Sequence, residues 1–434
     1  MYEFLSNTSQ VDRSPVSEAN AAITGQPTTS RALYDVLVLD ASLRQSLVAV
    51  RSLGRRGLRV AALGNPARMQ ACSSRWCRRR FCAPSYEQGF QPYLSYLEQV
   101  LDYNEVGVLI PSSDDVIALI CQHRERLERR VRIALAREPA LGIALNKEQT
   151  LDIARQLGLS IPRGVYVRAA NEVPSALREV GLPAVVKPVE SWVWKVPAQR
   201  GMRLVSQLVT SSDEARSAVE KLTSFGGSIL LQQFLSRRRE AVSFLYAHGQ
   251  IYARFAQWAK RTLPPLGGTS VFRQSIAIPA DIGEQSERLV REIELEGYSE
   301  VEYRRDAAGK PYLMEINPRL SASIEVAVRS GVDFPYLLYQ WARGEQITKV
   351  EGYREGQWMR YLAGDIMTTI QAFQQHGRPG VTPPTQAIRE FCTAFFVPTG
   401  YDYVDWKDPL PALTAATEFT CRLVGNALKK RATP

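Results

Sequence analysis

The sequence predicts an α/β protein in which a small α/β domain precedes two α+β lobes, and three observations carry that prediction. Apolar runs alternate with amphipathic stretches from Asp35 onward, as a parallel sheet with crossover helices requires. The apolar run Leu182 to Val186 ends in Lys187-Pro188, a strand with a lysine at its tip. Val301 to Arg319 reads as a β-hairpin: one strand ends near Arg304, Asp306-Ala307-Ala308-Gly309-Lys310 turns, and Tyr312 to Ile316 returns.

A chain of 434 residues, 45% hydrophobic and 23% charged, suits a globular protein of two to four domains. No apolar run approaches the roughly 18 to 20 residues that cross a bilayer, so no membrane span is expected. Residues 1–30 lack a basic-then-apolar signal and are rich in Ser, Thr, Asn and Ala, which predicts a disordered leader and a cytoplasmic protein. The net charge of +10 is spread over short basic clusters with no stacking platform between them. Nucleic-acid binding is therefore not expected, and the cations suit a phosphate-bearing substrate. Cys72, Cys77 and Cys82 lack the paired spacing of a zinc site and read as reduced thiols.

In chain order, strands are expected at 35–39, 58–63, 107–110 and 131–135, with helices at 42–57, 91–103 and 114–127 between them. They form a domain over 31–145. It has no Gly-x-Gly-x-x-Gly turn and is not read as a dinucleotide site. Pro111-Ser112-Ser113-Asp114-Asp115 lies where a strand meets its helix, a place that faces ligand in open α/β sheets; helix capping by Ser113 or Asp114 explains it equally well. A second unit, 146–235, holds a helix opening at Asn146-Lys147 and strands at 182–188 and 228–235. A third, 236–345, holds strands at 241–246 and 250–257, a helix at 282–296, the hairpin and two further helices. Residues 346–434 form a C-terminal extension with no chemical reading of its own.

Glu315 and Asn317 stand two apart on the returning strand and so share a face, with Glu302 on the partner strand. Three oxygen-bearing side chains on one spot suit a hard cation that also carries phosphate oxygens, namely Mg2+. Arg319 reaches the same face. Taken singly, each residue reads as a solvated charge on an edge strand.

The segment resembles the metal-binding strand pair of ATP-grasp enzymes, in particular the branch with carbamoyl-phosphate synthase and biotin carboxylase. The resemblance covers roughly residues 31–345. It implies the ATP-grasp fold with a Rossmann-like domain ahead of the nucleotide. It further implies Lys147 and Lys187 on the phosphates of ATP and a hinge, Gln232-Gln233-Phe234-Leu235, at the adenine. Gln233 would meet the adenine amino group and Glu240 the ribose. Glu302, Glu315 and Asn317 would hold Mg2+, with Mn2+ able to replace it. Arg319 would stabilise charge at the transferred phosphoryl group, with Arg273 as a second catalytic candidate.

Residues 189–202 depart from the family's glycine-rich loop: they hold one glycine, Gly201, and two tryptophans, Trp192 and Trp194. Lys195 or Arg200 would have to substitute for the missing backbone donors. Ala322 replaces the synthase's further arginine, and Ser321-Ala322-Ser323-Ile324-Glu325 lacks the biotin carboxylase continuation.

The activity implied is an ATP-dependent ligase joining a small-molecule carboxylate to an amine, or to a thiol, through an acyl phosphate. No side-chain nucleophile is needed, and none of the three histidines lies in a motif. Two alternatives stand beside it, a nucleotide-binding pseudoenzyme or sensor and a small-molecule kinase. The extension is left open between a cover for the acceptor site and a homodimer interface.

Overall fold

Three β-sheets follow one another along the chain. The computed structural model describes residues 31–65, 70–85, 89–189, 192–195, 200–224, 228–265 and 267–432. The first sheet is wholly parallel, in the order Cys77–Cys82, Val60–Gly64, Ala32–Val38, Asn104–Ile110, Arg132–Ile133. Strand order reverses between Ala32–Val38 and Asn104–Ile110. The loops at their carboxyl ends, with Asp40 on one and Ser112 to Asp115 on the other, therefore meet at the switch point of the sheet. The strand Cys77–Cys82 was not expected: five of its six residues are Cys or Arg, and only Phe81 is buried. Helix Arg44–Arg55 buries Leu47, Val50 and Leu53, as its spacing predicts, but also Arg44 and Arg51, because the C-terminal extension packs over it.

The second sheet is antiparallel, in the order Gln207–Val209, Ala184–Pro188, Ile229–Gln233, Gly164–Val167. Helices Val173–Val180 and Ser212–Thr223 cover the face that carries Ala184, Val186, Ile229 and Leu231. Strand alternation then leaves Lys187, Leu230 and Gln232 together on the opposite face. Trp192–Lys195 and Arg200–Arg203 pair as a separate hairpin. The side-chain roles considered for Lys195 and Arg200 fall outside the described residues.

The third sheet has seven strands, in the order Pro311–Asn317, Gly297–Arg305, Arg239–Ala247, Gln250–Leu263, Thr269–Ile276, Trp358–Arg360, Thr399–Tyr401. The segment after residue 345 thus supplies two of its strands. One face packs Val242, Phe244, Val301, Tyr303 and Ile316 against helix Ala280–Glu292. The other face changes along its length, from apolar at Leu245, Phe255 and Tyr298 to polar at Ser243, Gln257, Glu300 and Glu302. A slip of one residue would exchange Val301 and Tyr303 with the two glutamates. Each buried apolar side chain is worth about 1.5–3 kcal/mol, so the apolar face fixes which carboxylates point the other way.

The hairpin closes as its composition predicts. Asp306 Oδ1 accepts from the backbone N–H of Ala308 and Lys310, both at 2.9 Å, and Gly309 takes the φ of +85° that the turn demands.

Candidate active site

Glu302 stands opposite Glu315 in the antiparallel pair, and Glu300 opposite Asn317. All four side chains share the polar face, where Asn317 Nδ2 donates to Glu302 Oε1 at 3.0 Å. The three residues read from the sequence as one group are one group.

The second sheet and the helix Lys147–Gln156 bring cations to the same place. Asn146 caps that helix, accepting from the N–H of Glu148 and Gln149, and so sets Lys147 at its first position. Lys147 Nζ lies 4.0 Å from Glu315 Oε2 and donates to the Val189 carbonyl at 3.5 Å. Burial would push the Glu315 carboxyl up, but Lys147, Lys187 and Arg239 more than offset it and hold it below the usual carboxylate range. Burial pulls the Lys187 ammonium down to about 8; Glu315 opposes that, while Lys147 and Arg304 add to it. Burial likewise lowers Arg304 to about 10, where it donates to the Leu235 carbonyl of the hinge at 3.2 Å.

Arg319 reaches back to the first domain. Its Nε and Nη2 donate to Asp114 at 2.5 and 3.1 Å, which leaves Nη1 without a protein acceptor among the described residues. Ser113 caps the helix by accepting from the Val116 N–H, so the capping reading of the Pro111 to Asp115 turn applies, and Asp114 beside it orients Arg319. Beside them the partly buried Asp40 is pushed up to about 8 by desolvation and by Asp115.

Three expectations are corrected. Glu240 does not face the cleft: it stands opposite Tyr303 on the other side of the sheet, and its carboxylate is tied to Arg238 at 2.8 Å and Arg305 at 2.7 Å. Arg239 takes the cleft side of that strand. It forms a two-point ion pair with Glu302 and donates to the Gly268 carbonyl at 2.9 Å. Burial disfavours the Arg239 charge, but Glu302 more than repays it, and its pKa is raised. Arg273 is fully buried, donating to the Ser323 carbonyl at 3.1 Å and to both oxygens of Asp402 at 2.6 and 3.3 Å. It locks the extension to the sheet and offers nothing to a reacting group. Gln233 also differs from expectation: its carbonyl oxygen accepts from the Arg163 N–H at 3.4 Å. Gln232, on the Lys187 face and 1% exposed, carries a carbonyl oxygen with no partner.

The sequence reading missed Arg239 and Glu300. Glu300 could have been found, since it precedes Glu302 by two on one strand and must share its face. Arg239 could not, because in Arg237-Arg238-Arg239-Glu240 no apolar alternation sets the phase.

The site has a stated capacity for a metal. Among the described residues no group of three or more His, Cys, Asp or Glu side chains is disposed to hold one. Glu302, Glu315 and Asn317 could do so only as Mg2+ is commonly held, with phosphate oxygens completing the shell. Both oxygens of Glu302 engage Arg239, so a metal there would have to displace the arginine or share the carboxylate with it.

Residues 229–364 match the family described as ATP-grasp in the biosynthetic pathway with Ter operon. The chain is 29% identical over 185 residues to the carbamoyl phosphate synthase large chain of Deinococcus deserti, covering 40% of this chain and 17% of that one. It is 26% identical over 219 residues to the D-alanine–D-alanine ligase of Geobacter sulfurreducens, covering 46% of this chain and 64% of that one. The chain thus spans less than two thirds of either relative's length. In fold it is similar to biotin carboxylase from Campylobacter jejuni, solved with a β-γ-ATP ligand, with a TM-score of 0.59 at 14% identity, covering 75% of this chain and 74% of the other.

Proposed function

We propose that this chain, an ATP-grasp protein by its family match and its fold, is an ATP-dependent ligase that activates a small-molecule carboxylate as an acyl phosphate and passes it to an amine. One observation carries the reading. Lys147 and Lys187 from one side of a cleft and Glu302, Glu315 and Asn317 from the other meet as a single charge cluster.

In this reading the two lysines bind phosphate oxygens as point charges. The unpartnered Gln232 carbonyl oxygen accepts from the adenine amino group, and the Phe234-Leu235 backbone lines the base. Mg2+, held by Glu302, Glu315 and Asn317, supplies Lewis-acid stabilisation of phosphate charge. Arg319, oriented by Asp114, uses its remaining N–H groups where negative charge develops on the transferred group. The relatives named as a D-alanine–D-alanine ligase and a carbamoyl phosphate synthase support a carboxylate–amine reaction. Carbon–nitrogen bond formation is preferred to thioester formation on that ground alone.

The Arg239–Glu302 pair favours one second reading, a nucleotide-binding protein that holds ATP without turning it over. Magnesium-dependent ADP release by the full chain, with paired pools of carboxylates and amines, separates the two. Release stimulated by one carboxylate–amine pair is expected. Tight ATP binding with no release under any pool would establish the second reading instead.

A further inference from the structure

Beside the Arg239–Glu302 pair lies a small, partly open cavity of about 10 Å3, roughly the room one water molecule takes. Arg239, Glu240, Ala241, Gln257, Ala259, Ser270, Glu300 and Ser323 line it, and Glu240 is already paired with Arg238 and Arg305. The short side chains of Ala241 and Ala259 leave the space; the polar groups decide what fits.

Gln257 Nε2 is fully used, donating to Glu300 at 2.8 Å and to Ser323 Oγ at 2.7 Å. Among the described residues Gln257 Oε1 and Ser270 Oγ have no partner, though each residue is only 5% exposed. An orphaned buried acceptor costs about 1–3 kcal/mol, so both lining the same small cavity points to an occupant that donates hydrogen bonds. Charge narrows the choice. Glu300 is 2% exposed, and no basic side chain lies within ion-pair distance of it among the described residues. Its partners are the amide of Gln257, the hydroxyl of Ser243 at 3.5 Å and the hydroxyl of Ser321. Arg239 is the one cation on the cavity wall, and all three of its nitrogens are engaged by Glu302 and the Gly268 carbonyl. The cavity therefore holds one carboxylate that makes no ion pair among the described residues, one obligate acceptor and two hydroxyls, with Arg239 the nearest counter-charge. Water would satisfy the acceptors and leave the charge; a small cation with N–H donors satisfies both.

We propose that this cavity seats the primary ammonium head of the amine substrate, with Glu300, Gln257 Oε1, Ser270 and Ser323 as its ligands. The assignment rests on the ligase reading above and extends it to the substrate class: a primary amine, since the space admits no substituent on nitrogen beyond the one that leads out. It places the substrate nitrogen one strand step from Glu302, on the face where the carboxylate is to be activated.

The test begins with the unmodified full chain. Crystals soaked in thallium(I) acetate, an ammonium-sized probe, are expected to give an anomalous peak in the cavity that ethylammonium displaces. In ADP-release kinetics the KM for the amine is expected to rise about tenfold in Glu300→Gln and several-fold in Ser270→Ala. The KM for ATP should stay unchanged, and Glu300→Gln should melt like the parent because it keeps both shape and hydrogen bonds. A peak displaced by potassium but not by ethylammonium overturns the assignment in favour of an inorganic cation site. An empty or water-filled cavity with an unchanged amine KM overturns it outright. Absence of amine-stimulated release in the parent chain sinks the ligase reading, while the thallium soak still decides whether the cavity is cationic.

Discussion

Asp402 and Asp365, both in the C-terminal extension, each sit between two arginines, whereas Glu315 meets Lys147 and Lys187 across the gap between the third sheet and the elements that carry them. Asp402 binds Arg44 at 2.5 Å and Arg273 at 2.6 Å, and Asp365 binds Arg261 and Arg360 at 2.5 and 2.6 Å. None of these six side chains is more than 9% exposed. In the cleft Glu315 is partly exposed, and Lys147 stops 4.0 Å short of it. The same residue chemistry thus makes a saturated joint in one place and an incomplete site in the other. The difference lies in whether the protein supplies all the partners, and the strongest test removes one residue from each network.

Replacing Glu315 by Gln should lower ADP release about 10³-fold, or about 4 kcal/mol of barrier, by removing the carboxylate that faces both lysines. The melting temperature should move little, because the side chain is half-open to water. A large loss of stability with activity per folded molecule intact would make Glu315 a joint like Asp402.

The mirror experiment is Asp402→Asn. It leaves Arg44 and Arg273 buried without a counter-charge, and breaking one partner of such a network costs about 3–5 kcal/mol. Urea unfolding should report that loss while ADP release per folded molecule stays within about twofold. A fall in turnover with stability unchanged would restore Arg273 to the catalytic set.

This contrast also marks how far the sequence could be read. The hairpin, its turn and the shared face of Glu315 and Asn317 follow from short-range rules, and the structure has them in place. Lys147 and Lys187 are legible for the same reason: each is fixed by its own cap or strand end. Arg273 was illegible because its partner lies 129 positions away, just after a strand too short to announce itself. Glu240 and Arg239 exchanged faces because the phase of their strand is set by pairing with Gly297–Arg305 rather than by local pattern. The adenine contact was read onto Gln233 for the same reason, since the register with Ala184–Pro188 decides that Gln232 faces Lys187.

A third test uses the softness of the cleft. Burial, opposed by Glu315 and more weakly by Glu302, pulls Lys187 down to about 8, while phosphate would hold it charged. ATP affinity should therefore be full below pH 8 and fall by up to about tenfold per unit above it, since binding must then take up a proton. The same depressed value means that the unfolded chain binds the extra proton between about 8 and 10.5, so stability contributed by this group rises with pH over that window. Lys187→Arg keeps its charge and should flatten the affinity profile, whatever its absolute Kd. A profile that stays steep in this variant would assign the titration to another group.

The smallest expected effect is the most specific to this chain. Arg239 engages both oxygens of Glu302, so a metal must displace it or share. If the pair competes with Mg2+, Arg239→Gln frees the carboxylate at the cost of one ion pair, and half-saturation by Mg2+ should drop about three- to tenfold. The gain is small because the same change removes positive charge that would attract nucleotide, so the ATP Kd should rise as the Mg2+ requirement falls. Opposite signs in the two titrations would identify Arg239 as a competitor for Glu302. If both constants rise together, Arg239 belongs to the nucleotide's own contacts and leaves Glu302 when ATP arrives, which would make the pair a resting state of the site rather than a block upon it.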